Sequence, residues 1–268
     1  MEFLKRSFVK SKLTSLLSTK IIVFSLSLLL ISPFTLFAYH PLITDDTGTQ
    51  GRGGFQYELN VEYGHDSEEG VETDETVLGM TLTYGLVDNL DIAVGIPYQF
   101  LKESNRETIK EDGIGDLTID FKYRFYEKDG LRIVLKPGLS FPTGDYERGL
   151  GSGRITGRIF LIIDKEFEPV TLFLNTGYIR NENKLDERKN LWHMSLAGEY
   201  RLTEDLKIAL NTGIETNPEK GSRTHPVFLL GGLVCSVTEA FDLSGGIKTG
   251  LNGPETDLSI LAGITLRF

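Results

Sequence analysis

The sequence holds one cysteine, three methionines and one tryptophan in 268 residues. A single cysteine excludes an intramolecular disulfide framework. Cys235 sits inside an apolar run and reads as a buried structural thiol. Long hydrophobic stretches are missing too. Only Ile21 to Ala38 approaches the roughly 20 apolar residues that a spanning helix needs, which excludes a helical membrane bundle. There is no excess of positive charge: 28 Lys and Arg face 38 Asp and Glu, for a formal net charge of −10. With no basic stripe to meet phosphates, nucleic acid is not an expected partner. Disorder is excluded as well, because 40% of the residues are hydrophobic. What the chain does have is 29 glycines, 16 phenylalanines and 10 tyrosines, a composition that favours strands over helices.

The first segment reads as an address. Lys5, Arg6, Lys10, Lys12 and Lys20 form a basic head, and Ile21 to Ile31 forms an apolar core broken only by Ser25 and Ser27. Pro33 ends that core, and Leu36-Phe37-Ala38 offers a small residue to a signal peptidase. Residues 1–38 are therefore expected to be a cleaved signal peptide. The rival reading, a membrane anchor, suffers from a core too short to span. Removing this segment takes away five basic residues and Glu2, leaving an acidic exported chain of formal charge −14.

Beyond Gly54 the dominant period is two. Phe55, Tyr57, Leu59, Val61 and Tyr63 alternate with Gln56, Glu58, Asn60 and Glu62, and Leu117, Ile119, Phe121, Tyr123 and Phe125 alternate with Thr118, Asp120, Lys122 and Arg124. Such alternation gives a strand one wet and one apolar face. Twelve runs follow this pattern: 55–64, 76–86, 90–100, 114–126, 131–141, 154–164, 170–180, 191–202, 206–216, 226–237, 243–251 and 257–268. Each is near the 9–11 residues of a tilted membrane-crossing strand. Tight turns alternate with longer connections, around 65–75, 101–113, 142–153, 181–190 and 217–225. That layout predicts an all-β, 12-stranded antiparallel up-and-down transmembrane β-barrel over 55–268, in the outer membrane of a Gram-negative bacterium. Residues 39–54 become a periplasmic segment capping the pore. Aromatics gather at run ends, as two interfacial belts require. A soluble all-β domain is the weaker alternative. The last run ends on Phe268, which resembles the assembly signal read by the outer-membrane barrel assembly machinery.

If the apolar set faces lipid and lipopolysaccharide, its neighbours face inward. The predicted pore lining is Lys122, Arg124, Arg132, Lys136, Arg154 and Arg158 on one wall, with Glu58 and Glu62 on the first strand. These charges form either a ladder of cross-strand ion pairs or a transverse field acting on a permeant. Phe160, Ile162, Phe173 and Val234 fall on the inward parity despite being apolar. They predict either a lumen patch for a greasy solute or packing against an inward loop or the N-terminal segment.

Other chemistry is weaker. His193 and Ser195 share a strand face, but no GxSxG string accompanies them. His40, His65 and His225 lack metal-ligand spacing. Gly113-Ile114-Gly115-Asp116 has the look of a phosphate loop, yet a strand rather than a helix follows it. Asp66, Glu68, Glu69, Glu72 and Asp74 read as a solvated acidic loop, with surface calcium a minor option. Neither cofactor nor catalytic residue is expected.

Three strings carry a resemblance: His40-Pro41-Leu42-Ile43-Thr44-Asp45-Asp46-Thr47-Gly48-Thr49-Gln50-Gly51, Gly113-Ile114-Gly115-Asp116-Leu117 and Phe141-Pro142-Thr143-Gly144-Asp145. Their order and spacing over 39–268 resemble the family of outer-membrane channels named for the MetA pathway of phenol degradation. The resemblance implies a transporter associated with uptake of small hydrophobic or aromatic compounds, and it brings no catalytic residues. A passive, monomeric channel for such solutes is the leading expectation. A non-transporting structural or surface barrel is the alternative, and a membrane-embedded hydrolase is a distant third.

Overall fold

The structure, a computed structural model, describes residues 40–268 apart from 69 and 106. The expected signal peptide therefore lies outside the described residues. The strands are β1 Phe55–Glu68, β2 Val71–Val87, β3 Leu90–Ser104, β4 Thr108–Ile114, β5 Leu117–Lys128, β6 Leu131–Phe141 and β7 Thr156–Phe167. They continue with β8 Val170–Arg180, β9 Asn190–Arg201, β10 Leu206–Glu215, β11 Val227–Thr238, β12 Phe241–Gly250 and β13 Leu258–Arg267. Every pairing is antiparallel; strands pair with their chain neighbours except that β5 pairs with β3 rather than β4, and β1 with β13 closes the ring. Phe55 and Phe268 exchange backbone hydrogen bonds at that seam.

The thirteen strands make twelve staves, because β4 and β5 share one. β4 pairs with the outer half of β3 and β5 with its inner half, across a break at Gly115-Asp116. The up-and-down barrel of twelve staves agrees with the period-two reading. Two connections do not agree with it. Segments 65–75 and 101–113 were expected to be loops, but β1, β2, β3 and β4 carry on through most of them as paired hairpins. Their polar residues belong on strands that stand in water, where no apolar face is needed. The acidic cluster is correspondingly spread out: Asp66 is buried, whereas Asp74 is held on the other face by Tyr63, His65 and Lys102.

Burial is inverted relative to a soluble domain. Glu58, Asp91, Asp120, Arg158, Asp164, Asn175, Asn211 and Lys248 are buried, while Phe121, Ile159, Leu172, Leu196, Leu210, Ile247 and Ile260 on the alternate positions are exposed. A closed barrel satisfies its backbone without edges, so an apolar exterior is stable only against acyl chains. Outward-facing Tyr63, Phe100, Tyr178 and Trp192 ring the loop end, and Phe125, Phe167, Tyr200 and Phe268 ring the turn end. Cys235 is exposed, contrary to the expectation of a buried thiol. It lies between inward Val234 and Ser236, and β11 is apolar on both faces, so composition could not tell the two sides apart.

Leu210 lies near the middle of β10 and is 61% exposed on the outer face. Leu210→Arg should destabilise the barrel by about 2–4 kcal/mol, the penalty of a charge on the lipid face at mid-depth. Denaturant unfolding in lipid vesicles measures this, and an unchanged midpoint would contradict the outward assignment.

Candidate functional site

Residues 40–51 enter the barrel and cross it as a strap. At the turn end, Gly53 donates to the Gly85 carbonyl (2.8 Å) and the Gln50 amide donates to Asp91 (3.0 Å). The Thr47 hydroxyl then donates to the Asp164 carboxylate on β7. Asp45 bridges two strands, with Lys136 Nζ at 2.6 Å and Lys122 Nζ at 3.2 Å, and Asp46 takes Lys122 at 2.7 Å. The amides of Ile43 and Thr44 both donate to Asn211 Oδ1 on β10 (2.7 and 3.1 Å), and the Thr44 hydroxyl donates to Ser195 (2.8 Å). Pro41 lies flat on Gly232 of β11, where a Cβ would collide with its ring. His40 Nδ1 sits 2.6 Å from Ser244 Oγ on β12.

The sequence explains this path. Turn-forming Asp, Thr and Gly residues keep the strap out of regular structure, and their short polar side chains meet the polar inner face. Its one apolar pair, Leu42-Ile43, meets an apolar stretch of that face. Leu42 packs with Phe173, Ala197, Ala209, Phe228, Leu230 and Leu261, with Ile43 alongside.

Of the residues predicted as a basic wall, Lys122, Arg124, Arg132, Lys136 and Arg158 each meet an acid. Besides the Asp45 contacts of Lys122 and Lys136, Arg132 Nε meets Asp164 at 2.8 Å and Arg124 meets Glu127 at 3.1 Å. Arg158 grips Asp120 with two hydrogen bonds, at 2.9 and 2.6 Å. Glu62 pairs with Lys248 (3.0 Å), and Glu58 is buried on the wall near the turn end. Arg154 is different: it is exposed in the bend before β7, which starts only at Thr156. Gly151, Ser152 and Gly153 carry the chain through a loop there, so the strand was read two residues too early.

Phe160, Ile162, Phe173 and Val234 point inward and are at most 4% exposed. They do not form one patch. Phe160 and Ile162 pack with Val134, Ile179 and Leu191, Phe173 joins the cluster around Leu42, and Val234 belongs to neither. None of the four lines either cavity described below. Period-two parity places these residues inward but does not reveal Leu42 as the partner of Phe173. The signal was the apolar pair inside an otherwise polar segment.

Two of the quoted strings interlock. The Leu117 amide donates to the Thr143 hydroxyl, which donates to the Gly115 carbonyl, both at 2.8 Å. Asp116 accepts from the amides of Gly144 (3.0 Å) and Ser152 (2.8 Å). The break in the fourth stave thus presents a carboxylate that folds the 142–155 loop inward, burying Leu150 against Gly113 and Gly115. His193 and Ser195 are engaged separately, the first with Glu215 at 3.3 Å and the second with Thr44, and no hydrogen bond links them.

The strap divides the lumen. A cavity of about 220 Å3 lies on the loop side, lined among others by His40, Leu150, Arg158, His193, Glu215 and Phe228. A second, of about 360 Å3, lies on the turn side, lined among others by Asp45, Gln50, Glu58, Asp120, Lys122 and Lys136.

A closed, lipid-facing barrel with a polar interior crossed by its own N-terminal strap is an outer-membrane β-barrel protein. Residues 40–268 match the family described as "Putative MetA-pathway of phenol degradation", and the chain belongs to it. No curated protein matches the sequence. Among solved structures, the COG4313 outer membrane channel from Pseudomonas putida F1 is similar, with a TM-score of 0.67 at 17% identity over 83% of this chain and 98% of that one. The NanC porin aligns with a TM-score of 0.53 at 10% identity over 78% and 98%. The translocator domain of the autotransporter NalP from Neisseria meningitidis aligns with 0.51 at 11% over 81% and 89%. At these identities the likeness is one of fold, and a porin and an autotransporter share it, so function rests on the lumen.

Burial alone would raise the Asp45 carboxyl, but Lys122 and Lys136 outweigh it and hold it below the usual carboxylate range. Burial pushes His40 down to about 4, opposed by the nearby Glu62 carboxylate. A docked imidazole is then neutral, whereas a free one takes a proton near 6.5. Docking of the strap should therefore weaken as pH falls from about 6.5 to about 4. Asp45, held low when docked, adds to the same loss only at the acid end of that window, where a free carboxyl begins to take a proton. The labelling rate of Ile43→Cys in a Cys235→Ser background, relative to a free thiol, should rise across the window. His40→Gln should flatten the rise, and a rate already flat with His40 in place would contradict the assignment.

Proposed function

We propose that the protein is a passive outer-membrane channel for small hydrophobic or aromatic solutes, narrowed by residues 40–51. The observation that carries this reading is the pair of cavities, one on each face of the strap, inside a single closed barrel. A barrel of eight strands is filled by side chains and one of sixteen leaves an open channel. Twelve staves leave room that only an inserted segment occupies, and an inserted segment can leave.

The solute class draws on the family's description and on the loop-side cavity. Leu150, Leu185, Phe228 and Leu261 share its wall with Asn181, His193 and Glu215. That mixture suits an aromatic ring bearing a hydroxyl, with apolar contact for the ring and donors or acceptors for the oxygen. Phe228 and Leu261 face this cavity as well as Leu42, whereas Phe160, Ile162, Phe173 and Val234 do not line it, so recognition is assigned to the cavity wall. On this reading the chain is exported by residues 1–38, assembles through the seam that Phe268 closes, and works as a monomer in lipid and lipopolysaccharide.

Deleting residues 40–51 tests the proposal in planar bilayers. The deletion should raise single-channel conductance severalfold. It should also shift selectivity towards anions, because Lys122 and Lys136 lose the Asp45 and Asp46 carboxylates. Conductance and selectivity equal to the parent's would favour the rival reading, a barrel that carries no solute.

A further inference from the structure

We propose that the passage between the two cavities runs down the wall formed by β2, β3 and β5, and that the Asp120–Arg158 ion pair on its edge sets which charge passes. This rests on the channel reading above and specifies its route.

The strap leans to one side. Its polar and packing contacts at mid-height fall on β5 through β13: Lys122, Lys136, Asp164, Asn211, Ser244 and Leu261. Its contacts with Gly85 and Asp91 lie at the turn-end mouth. On β2 and β3 the inward positions at mid-height are small. Gly79 pairs with Pro97, Thr81 with Gly95 and Thr83 with Ala93, and no hydrogen bond joins any of these six to the strap.

The two cavities meet on this wall. Gly79 and Pro97 line the loop-side cavity, and Thr81, Thr83, Ala93 and Gly95 line the turn-side one. Thr118, paired with Gly95 across β5 and β3, lines both. Its hydroxyl is turned back onto the Gly95 carbonyl at 3.4 Å, which keeps it against the wall.

The ion pair straddles the same junction. Arg158 lines the loop-side cavity and Asp120 the turn-side one. Gly138 lies opposite both in register, and a Cβ there would overlap the Asp120 carboxylate. The pair therefore lies flat on β6 and stays beside the passage. Two fixed opposite charges at a narrow point cancel for a neutral solute, and the loss of either exposes the other to permeating ions.

Planar-bilayer recordings in a Cys235→Ser background test this. An anionic methanethiosulfonate reagent should cut the current of Thr118→Cys severalfold and leave that of Ala209→Cys unchanged, since Ala209 is packed under Leu42 on the covered wall. Asp120→Asn should move the reversal potential towards anion preference and Arg158→Gln towards cation preference. Current through Thr118→Cys that survives labelling, or an equal block at Ala209→Cys, overturns the route alone. Reversal potentials that neither substitution moves overturn the role of the pair. Absence of current from both the parent and the 40–51 deletion overturns the channel reading, and the route with it.

Discussion

Asp45 is the residue on which the narrowed lumen depends. It sits between two lysines on neighbouring strands, deep enough that burial acts against its charge, and both lysines are buried with it. Desolvating ions is costly, and a buried set of charges is stable only when each member has its counter-ion. Removing one partner from such a set typically costs about 3–5 kcal/mol. The strap and the basic wall thus need each other. Without the strap, Lys122 and Lys136 lose the Asp45 and Asp46 carboxylates. Without the lysines, nothing offsets the burial of Asp45.

The rest of the interior follows this logic. A barrel in lipid must present apolar side chains outward, so period two sends the polar ones inward. Inside, charges on the wall are answered across a strand pair, as in Arg132–Asp164, across an intervening strand, as in Arg158–Asp120, or by the strap, as at Lys122 and Lys136. The apolar exceptions on the inner face form two clusters, one around Leu42 of the strap and one around Phe160 and Ile162. At the loop end, Asp116 does for the 142–155 segment what Lys122 and Lys136 do for the strap. It collects amides that a loop cannot satisfy internally and so folds that loop over the lumen.

Much of this was legible in the sequence because period two carries sidedness directly. Lys122, Lys136 and Arg158 could be placed inside from their neighbours alone, and the count of twelve staves survived the break at Gly115-Asp116. Three things were not legible. Where strands rise out of lipid into water, the alternation that marks them disappears, so 65–75 and 101–113 read as loops. Where both faces are apolar, as around Cys235, no pattern distinguishes lipid from packed lumen. Where a loop joins a strand through Gly-Ser-Gly, as at Arg154, parity extends past the true start. The purpose of Phe160, Ile162 and Phe173 was also hidden, since inward apolar residues fit a solute patch and a packed core equally until a partner, as Leu42 is for Phe173, is seen beside them.

The central claim is that residues 40–51 occupy the lumen by bonding to its wall. Hydrogen exchange of the protein in lipid nanodiscs reads this directly at the amides of Ile43 and Thr44, which donate to Asn211, and of Gln50, which donates to Asp91. At neutral pH these amides should exchange far more slowly than those of a free peptide of the same sequence. Exchange at the free-peptide rate would contradict the account.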